Sequence, residues 1–395
     1  MKNIFPPLTP AIQNEIGNLI KCIDKTFPIP KRFYTQLPKN ISQLSLLLTK
    51  ESSLRNDGYM GESAMLQAYL RYFLPWNVFR LCRLNLKELL PAFKDDDVII
   101  DLGSGPFTFV IALWITHSEL RTKSLKFYCV DHNKSALLAG KKLFASLAGG
   151  NPAWRITTIH AAIGKPLRVP HAALVTALNV SNEFIRHIPV QDSQALSKAA
   201  SRYADFLLSL AKEDGNIFTA EPGVPRAAQF LNMLRGFFIQ KNCRLVSPCT
   251  GCIICPMSGG IRGTKWCHFS FDTDDAPSSL QDISAAAGLL KDKAVLSFLF
   301  CVKSKQGIAQ HTIQNIAQKN LLRIMSDIIT LPREISSSGY GRYACSEKGL
   351  CLVSGGKETL DQLKWGALIE TPPATLQPPK PTRHDPKTGA LIVEV

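Results

Sequence analysis

Apolar residues recur every three or four positions through AMLQAYLRYFLPWNVFRLCRLNLKELL, from Ala64, with an interruption at Pro75. That period predicts helices with one buried face, and a proline inside such a stretch removes a backbone donor. Residues 1–90 read as a helical region. The pattern changes at Asp97. DVIIDLGSGPFTFVIALWI is a strand-length apolar run, a glycine turn and an apolar run of helix length. KFYCVDHN from Lys126, AALVTALNV from Ala172 and GNIFTAEPG from Gly215 are further strand-length runs, with helical stretches such as SALLAGKKLFASLA between them. Strands alternating with helices predict a parallel, doubly wound sheet. CRLVSPC and AVLSFLFCVK would close it as an antiparallel hairpin, with a cysteine-rich segment inserted between them.

Beyond residue 304 the pattern shifts again. NIAQKNLLRIMSDIITL reads as a basic helix, and GRYACSEKGLCLVSGG as a hairpin turning at Lys348-Gly349. The segment from Thr371 is proline-rich and reads as a flexible tail, although its LIVEV end has strand character. The expected fold class is α/β, a doubly wound sheet with added parts. The expected division is an N-terminal helical region (1–90), a sheet domain (91–303) carrying the cysteine-rich insertion 247–271, a small β-rich domain (304–370) and the tail (371–395).

Composition narrows the function classes. No apolar run reaches the ~20 residues that cross a bilayer, and MKNIFPPLTPAIQNEIGNLI lacks the apolar core and cleavage site of a secretory signal. Glu15 and the scarcity of arginine also speak against an organellar presequence. A cytoplasmic protein without a membrane partner is expected. Lys and Arg number 46 against 31 Asp and Glu, a net charge of +15, which favours a polyanionic partner such as nucleic acid. Arg262, Lys265, Lys291 and Lys293 could form the basic face, or simply a solvated one. The eleven cysteines are an odd number and fit a reducing compartment. Cys22, Cys82, Cys129, Cys243 and Cys301 stand singly in apolar surroundings and read as core packing.

DLGSGP follows a buried strand and opens a helix, as a cofactor-binding turn does. Gly103 and Gly105 permit close approach of the backbone, and Asp131, at the end of the next strand, stands where an acid takes ribose hydroxyls. Asp101, Gly103, Ser104, Gly105 and Asp131 are the candidate cofactor residues. The dinucleotide pattern G-x-G-x-x-G fails here; acid-x-Gly-x-Gly-x-Gly, the S-adenosylmethionine pattern, is closer, so the expected sheet is class I methyltransferase-like (Rossmann-like) and 91–303 the methyltransferase-like domain. Its last glycine is Phe107, which at that place would narrow the methionine end of the pocket. Catalytic signatures are thin. ALNVSNEF offers Asn179, Asn182 and Glu183 as substrate contacts, but Ser181 or Asn182 is better read as a helix N-cap.

SPCTGCIICPMSGGIRGTKWCHFSF spaces Cys249, Cys252 and Cys255 as C-x2-C-x2-C, with Cys267 twelve residues on. A free thiol has a pKa of ~8.5, so crowded thiols favour ionisation only around a cation. The spacing points to a metal centre, iron–sulfur somewhat ahead of zinc.

Several of these segments together resemble a family of mitochondrial-type small-ribosomal-subunit assembly proteins, methyltransferase-like and with bacterial relatives. The resemblance lies in AYLRYFLPWNVF, DLGSGP, TAEPGVPRAAQFLNMLR, the W-C-H-F-S of the cysteine stretch and LPREISSSGYGRYACSEKG. It implies a [4Fe–4S] cluster on Cys249, Cys255, Cys267 and Cys345, with Cys252 in reserve. It implies a small-subunit assembly or translation factor, monomeric off the ribosome, that binds small-subunit ribosomal RNA, with S-adenosylmethionine as a possible ligand. An active S-adenosylmethionine-dependent ribosomal RNA methyltransferase is the alternative, and no catalytic residue is assigned. A radical enzyme fits less well, because its cysteines stand early in a barrel as C-x3-C-x2-C. This sequence departs from the family at Thr250-Gly251 and at Gly341-Arg342-Tyr343.

Overall fold

The computed structural model describes residues 2–49, 63–251, 255–257, 266–304, 321–347, 349–370 and 383–395. Strand β1 (Lys2–Asn3) precedes helices α1 (Pro10–Thr26) and α2 (Leu37–Thr49). The aromatic stretch then forms one continuous rod: α3 (Ser63–Ala68), a π-helical turn at Tyr69–Phe73 and α4 (Leu74–Arg83), followed by α5 (Leu86–Leu89). Pro75 does not break the helix as its sequence position suggests. It sits at the first turn of α4, and the wider π turn immediately before it absorbs the missing donor.

The alternating region follows as β2 (Val98–Leu102), α6 (Thr108–Thr116), β3 (Lys126–Asp131), α7 (Lys134–Ala148), β4 (Arg155–His160), β5 (Ala172–Leu178), α8 (Ser181–Ile185), α9 (Ser193–Leu210), β6 (Ala211–Pro222), α10 (Pro225–Gln240), β7 (Arg244–Ser247), β8 (Phe269–Asp272), α11 (Ser278–Ala286) and β9 (Lys293–Val302). The large sheet runs β4-β3-β2-β5-β6-β9-β7, with β8 also on β9. β2 to β6 are parallel, and β9 runs antiparallel to both β6 and β7. The predicted closing hairpin is therefore present, with β9 between β6 and β7. Two strands of this sheet, β4 and β8, went unpredicted: β4 is an exposed edge whose side chains form no apolar run, and β8 begins inside the segment read as a cysteine-rich insertion.

One core spans the N-terminal helices and one face of this sheet. Ile16, Leu19 and Ile23 of α1 and Val78 and Phe79 of α4 join Phe109 to Leu113 of α6. α6 is buried at every residue, because helices cover it on the side away from the sheet. The N-terminal helices are thus a layer of the large domain. A second core lies on the opposite face under α9 and α10.

The C-terminal part is a second sheet. Its strands β10 (Leu321–Ile324), β11 (Ile329–Thr330), β12 (Tyr340–Ser346), β13 (Gly349–Ser354), β14 (Ala367–Glu370) and β15 (Leu391–Glu394) run β1-β14-β10-β12-β13-β15, with β11 on β12. The predicted hairpin is β12–β13, turning at Gly349 with φ of 107°. One expectation fails here: the predicted basic helix is β10 and β11 over its described part, since an apolar run that short suits a buried strand equally and the pairing of β10 on both edges decides it. The strand character of LIVEV is realised in β15, which pairs in parallel with β13. Among the described residues no helix is long and apolar enough to cross a membrane.

Candidate functional site

The chain reverses its direction of sheet growth after β4, returning to the free side of β2. β3 and β4 add on one side and β5 and β6 on the other, so the crevice beyond the ends of β2 and β5 is the place such a sheet leaves for a ligand. A cavity of about 240 Å³ lies there. The turn after β2 and Asp131 at the end of β3 form one wall, Leu178 to Val180 at the end of β5 a second, and the rod of α3–α4 the third.

Gly103, Gly105 and Asp131 line this cavity; Asp101 and Ser104 stand behind it. Gly103 and Gly105 have φ of 64° and 50°, which a side chain tolerates poorly. A Cβ on Gly103 would come within 2.0 Å of Val180, while Gly105 has open space beside it. Gly105 N–H donates to Asp131 Oδ2 at 2.8 Å and Asn133 N–H to Asp131 Oδ1 at 2.7 Å, so the turn and the acid hold each other. Oδ2 keeps a further lone pair for a ligand hydroxyl, while Oδ1 also faces His132 Nδ1 at 3.6 Å. Asp101 is buried and accepts from the hydroxyls of Ser104 at 2.7 Å and Thr176 at 2.6 Å. Burial pushes its pKa up to about 6, against the two hydroxyls.

Phe107 does not narrow the cavity as expected from its place in the motif. It takes the left-handed backbone conformation that a glycine would, with φ of 70°, and its side chain turns away into the core. There it lies over Gly140 of α7, where a Cβ would meet the ring at 2.7 Å.

Asn179 and Asn182 line the cavity, and the side chain of Glu183 lies outside the description. The expected Ser181 or Asn182 cap is absent, for Val180 holds the N-cap position without a side-chain bond. Glu221, at the end of β6, does that work. Its Oε1 accepts from the amides of Val180 at 3.1 Å and Ser181 at 2.9 Å.

The third wall escaped the sequence reading. Tyr69, Tyr72, Phe73, Trp76, Asn77 and Arg80 face the cavity from the rod, with Lys291 beside the rings of Tyr72 and Trp76. Trp76 donates to Ser284 Oγ at 3.0 Å, which fastens α4 to α11. Tyr69, Trp76 and Arg80 recur at helical spacing, which reads equally as a core stripe. An arginine within an aromatic stripe was the usable signal. Lys291 follows α11 in a loop and carried none. It is turned inward, and Lys293 pairs with Asp327 at 2.8 Å, so neither stands free as the expected basic face requires. Arg262 and Lys265 lie outside the described residues.

The cysteines form a second site between the two sheets. Arg323 of β10 is buried and sits opposite Cys345 of β12 in the ladder. It donates to the carbonyls of Pro248 at 3.1 Å and Gly366 at 2.9 Å. Burial pulls its pKa down to about 10, against the influence of Cys249, Cys345 and Cys267. Arg235 of α10 donates to Cys249 Sγ at 3.2 Å. Burial pushes the Cys267 thiol well up, as do Cys255 and Cys249, against Arg235 and Arg323. Cys249, Cys255, Cys267 and Cys345 are thus neighbours around two arginines although they come from widely separated segments. Among the described residues no group of three or more His, Cys, Asp or Glu surrounds a single metal-ion position. Cys252 falls outside them. His268 packs between Trp266 and Trp365, with ring centroids 5.1 Å from each. Cys351 is buried in the C-terminal core, and of the five single cysteines only Cys22 is not fully buried.

A doubly wound sheet with an antiparallel β9 and a glycine turn at the switch point defines a class I methyltransferase-like protein. The chain belongs to the family described as mitochondrial small ribosomal subunit Rsm22, whose profile matches residues 64–306, more than half of its length. No curated protein matches it. Among solved structures, a Listeria monocytogenes protein assigned as a class I S-adenosylmethionine-dependent methyltransferase is similar at 14% identity, over 74% of this chain and 89% of that one, with a TM-score of 0.39. A methyltransferase from Pyrococcus furiosus is similar at 8% identity over 54% and 78%, with a TM-score of 0.32. An rRNA methylase from Streptococcus thermophilus is similar at 9% identity over 58% and 94%, with a TM-score of 0.30.

Proposed function

We propose that the protein is a cytoplasmic assembly or translation factor of the small ribosomal subunit that binds its ribosomal RNA through the methyltransferase-like domain. Family membership is the observation that carries this reading. The charge of +15 supports it, because phosphate contacts from Lys and Arg give salt-sensitive affinity. In the same reading S-adenosylmethionine occupies the glycine-turn cavity. Asp131 would hold the ribose hydroxyls, the open space beside Gly105 would admit the ligand, and Asp101 and Ser104 keep the turn in shape.

The reading also assigns a [4Fe–4S] cluster to Cys249, Cys255, Cys267 and Cys345. The fit rests on two observations: the thiols are gathered around Arg235 and Arg323, and those cations offset the negative charge that four thiolates bring. Each thiolate of such a cluster binds a different iron, so its ligands stand further apart than those around one ion. A bound cluster would tie β12 to the large domain.

The active methyltransferase is the second reading, favoured by the cavity that Phe107 leaves clear. Methyl transfer from a sulfonium proceeds largely by alignment of donor and acceptor, so the lack of an evident base does not exclude it.

The test is co-sedimentation of the purified protein with small ribosomal subunits at low and high salt, alongside iron and sulfide analysis of protein prepared without oxygen. Salt-sensitive association is expected, with about four irons and four sulfides per chain, lost in Cys345→Ser and retained in Cys252→Ser. No association at low salt would overturn the ribosomal reading, and zinc or no metal the cluster. Methyl incorporation into small-subunit RNA would select the second reading.

A further inference from the structure

We propose that Arg80 and Lys291 form the oxyanion-binding corner of the glycine-turn cavity and take the carboxylate of the cofactor's amino-acid moiety. This rests on the reading that the cavity holds S-adenosylmethionine. Both side chains line the cavity. The Lys291 ammonium lies 5.7 Å from the ring centres of both Tyr72 and Trp76. Arg80 donates from Nη1 to Asn77 Oδ1 at 3.1 Å, while its Nε is buried without a hydrogen-bond partner. Among the described residues neither cation is ion-paired with a carboxylate.

Two cations sharing an aromatic, partly dry cavity repel each other and lack water to screen them. Burial, and then Arg80, depress the pKa of Lys291 to about 8. Such a pair is unfavourable in the empty protein and becomes favourable when an anion enters. Asp131 lines the same cavity from the glycine-turn wall and suits ribose hydroxyls. A ligand with its nucleoside against Asp131 presents its other end to Arg80 and Lys291. In S-adenosylmethionine and S-adenosylhomocysteine that end carries a carboxylate; 5′-methylthioadenosine keeps the nucleoside and lacks the amino acid.

The test is calorimetric titration of the full chain with S-adenosylhomocysteine and with 5′-methylthioadenosine, for the parent, Arg80→Gln, Lys291→Met and Lys291→Arg. Each of the first two variants should weaken S-adenosylhomocysteine by about tenfold or more and leave 5′-methylthioadenosine within about twofold. Lys291→Arg should restore most of the loss. Equal weakening of both ligands would mean the pair only shapes the cavity, and unchanged affinities would remove it from binding altogether. Either result overturns the assignment and leaves the cofactor reading standing. Intact S-adenosylhomocysteine binding with lost ribosomal RNA binding would reassign the corner to an RNA phosphate. A parent that binds neither small ligand would overturn the assignment and the cofactor reading together.

Discussion

Phe107→Gly places the residue type of the S-adenosylmethionine motif at its motif position, and the structure says it will harm the protein. Two effects oppose each other. A left-handed conformation costs an L-residue about 1–2 kcal/mol, which glycine would recover at the φ of 70° found here. Against this, the Phe107 ring is fully buried against Gly140, and truncating a buried phenylalanine costs about 3–5 kcal/mol. The packing loss wins, and the variant should be less stable by about 2 kcal/mol. Urea unfolding followed by tryptophan fluorescence measures this. Because the ring points away from the cavity, S-adenosylhomocysteine affinity should stay within about twofold. A variant as stable as the parent would show that backbone strain outweighs packing. A large gain in affinity would show that the ring obstructs the ligand, which the geometry denies.

Other changes follow from the same packing. Gly140→Ala puts a Cβ 2.7 Å from the Phe107 ring and 2.8 Å from the Pro106 backbone, and should cost about 2 kcal/mol in urea unfolding, partly relieved by Phe107→Leu. Asp275→Ala should cost about 3–5 kcal/mol: it strands the buried Arg83, 2.6 Å away, and removes the acceptor for the Leu8 amide at 2.8 Å. Thermal unfolding would show this as a fall in Tm, and an unchanged Tm would contradict it. Lys291→Met should stabilise the ligand-free protein. The folded pKa of about 8 lies below the lysine's ordinary 10.5, so the charged form is penalised most fully below pH 8. That shift is worth at most about 3 kcal/mol and, discounted for partial solvent screening, about 1 kcal/mol. The gain over the parent should shrink as pH rises from 8 towards 10.5 and the parent's lysine loses its charge. A gain that is constant with pH would assign the effect to packing alone.

Strands and glycine turn were legible in the sequence because they carry uninterrupted apolar runs and residues with restricted backbone freedom. The same logic fails where tertiary pairing decides. RITTIH is an exposed edge with no apolar run, and LLRIMSDIITL has a period that suits either element. The cofactor turn was read from DLGSGP, but the direction of the Phe107 side chain depends on α7, which brings Gly140 beneath it. Glu221 was visible within TAEPGVP, yet its task is to cap a helix forty residues earlier, and spacing cannot reveal that. Cys345 was placed with the other cysteines only through family resemblance. Spacing alone favoured Cys252, since the β10–β12 ladder that carries Cys345 to Arg323 leaves no local trace.

The short strand β1 has its consequence in the order of synthesis. Lys2 pairs with Leu368 and Asn3 with Ala367, so β1 is made long before the partner it needs, with the whole large sheet between them. The nascent chain must hold that edge open while the large sheet and both cores assemble. Closing so long a loop is entropically slow to reward. The completed second sheet therefore acts as a clasp across the large domain, and a product lacking β14 would leave β1 exposed for proteases to find.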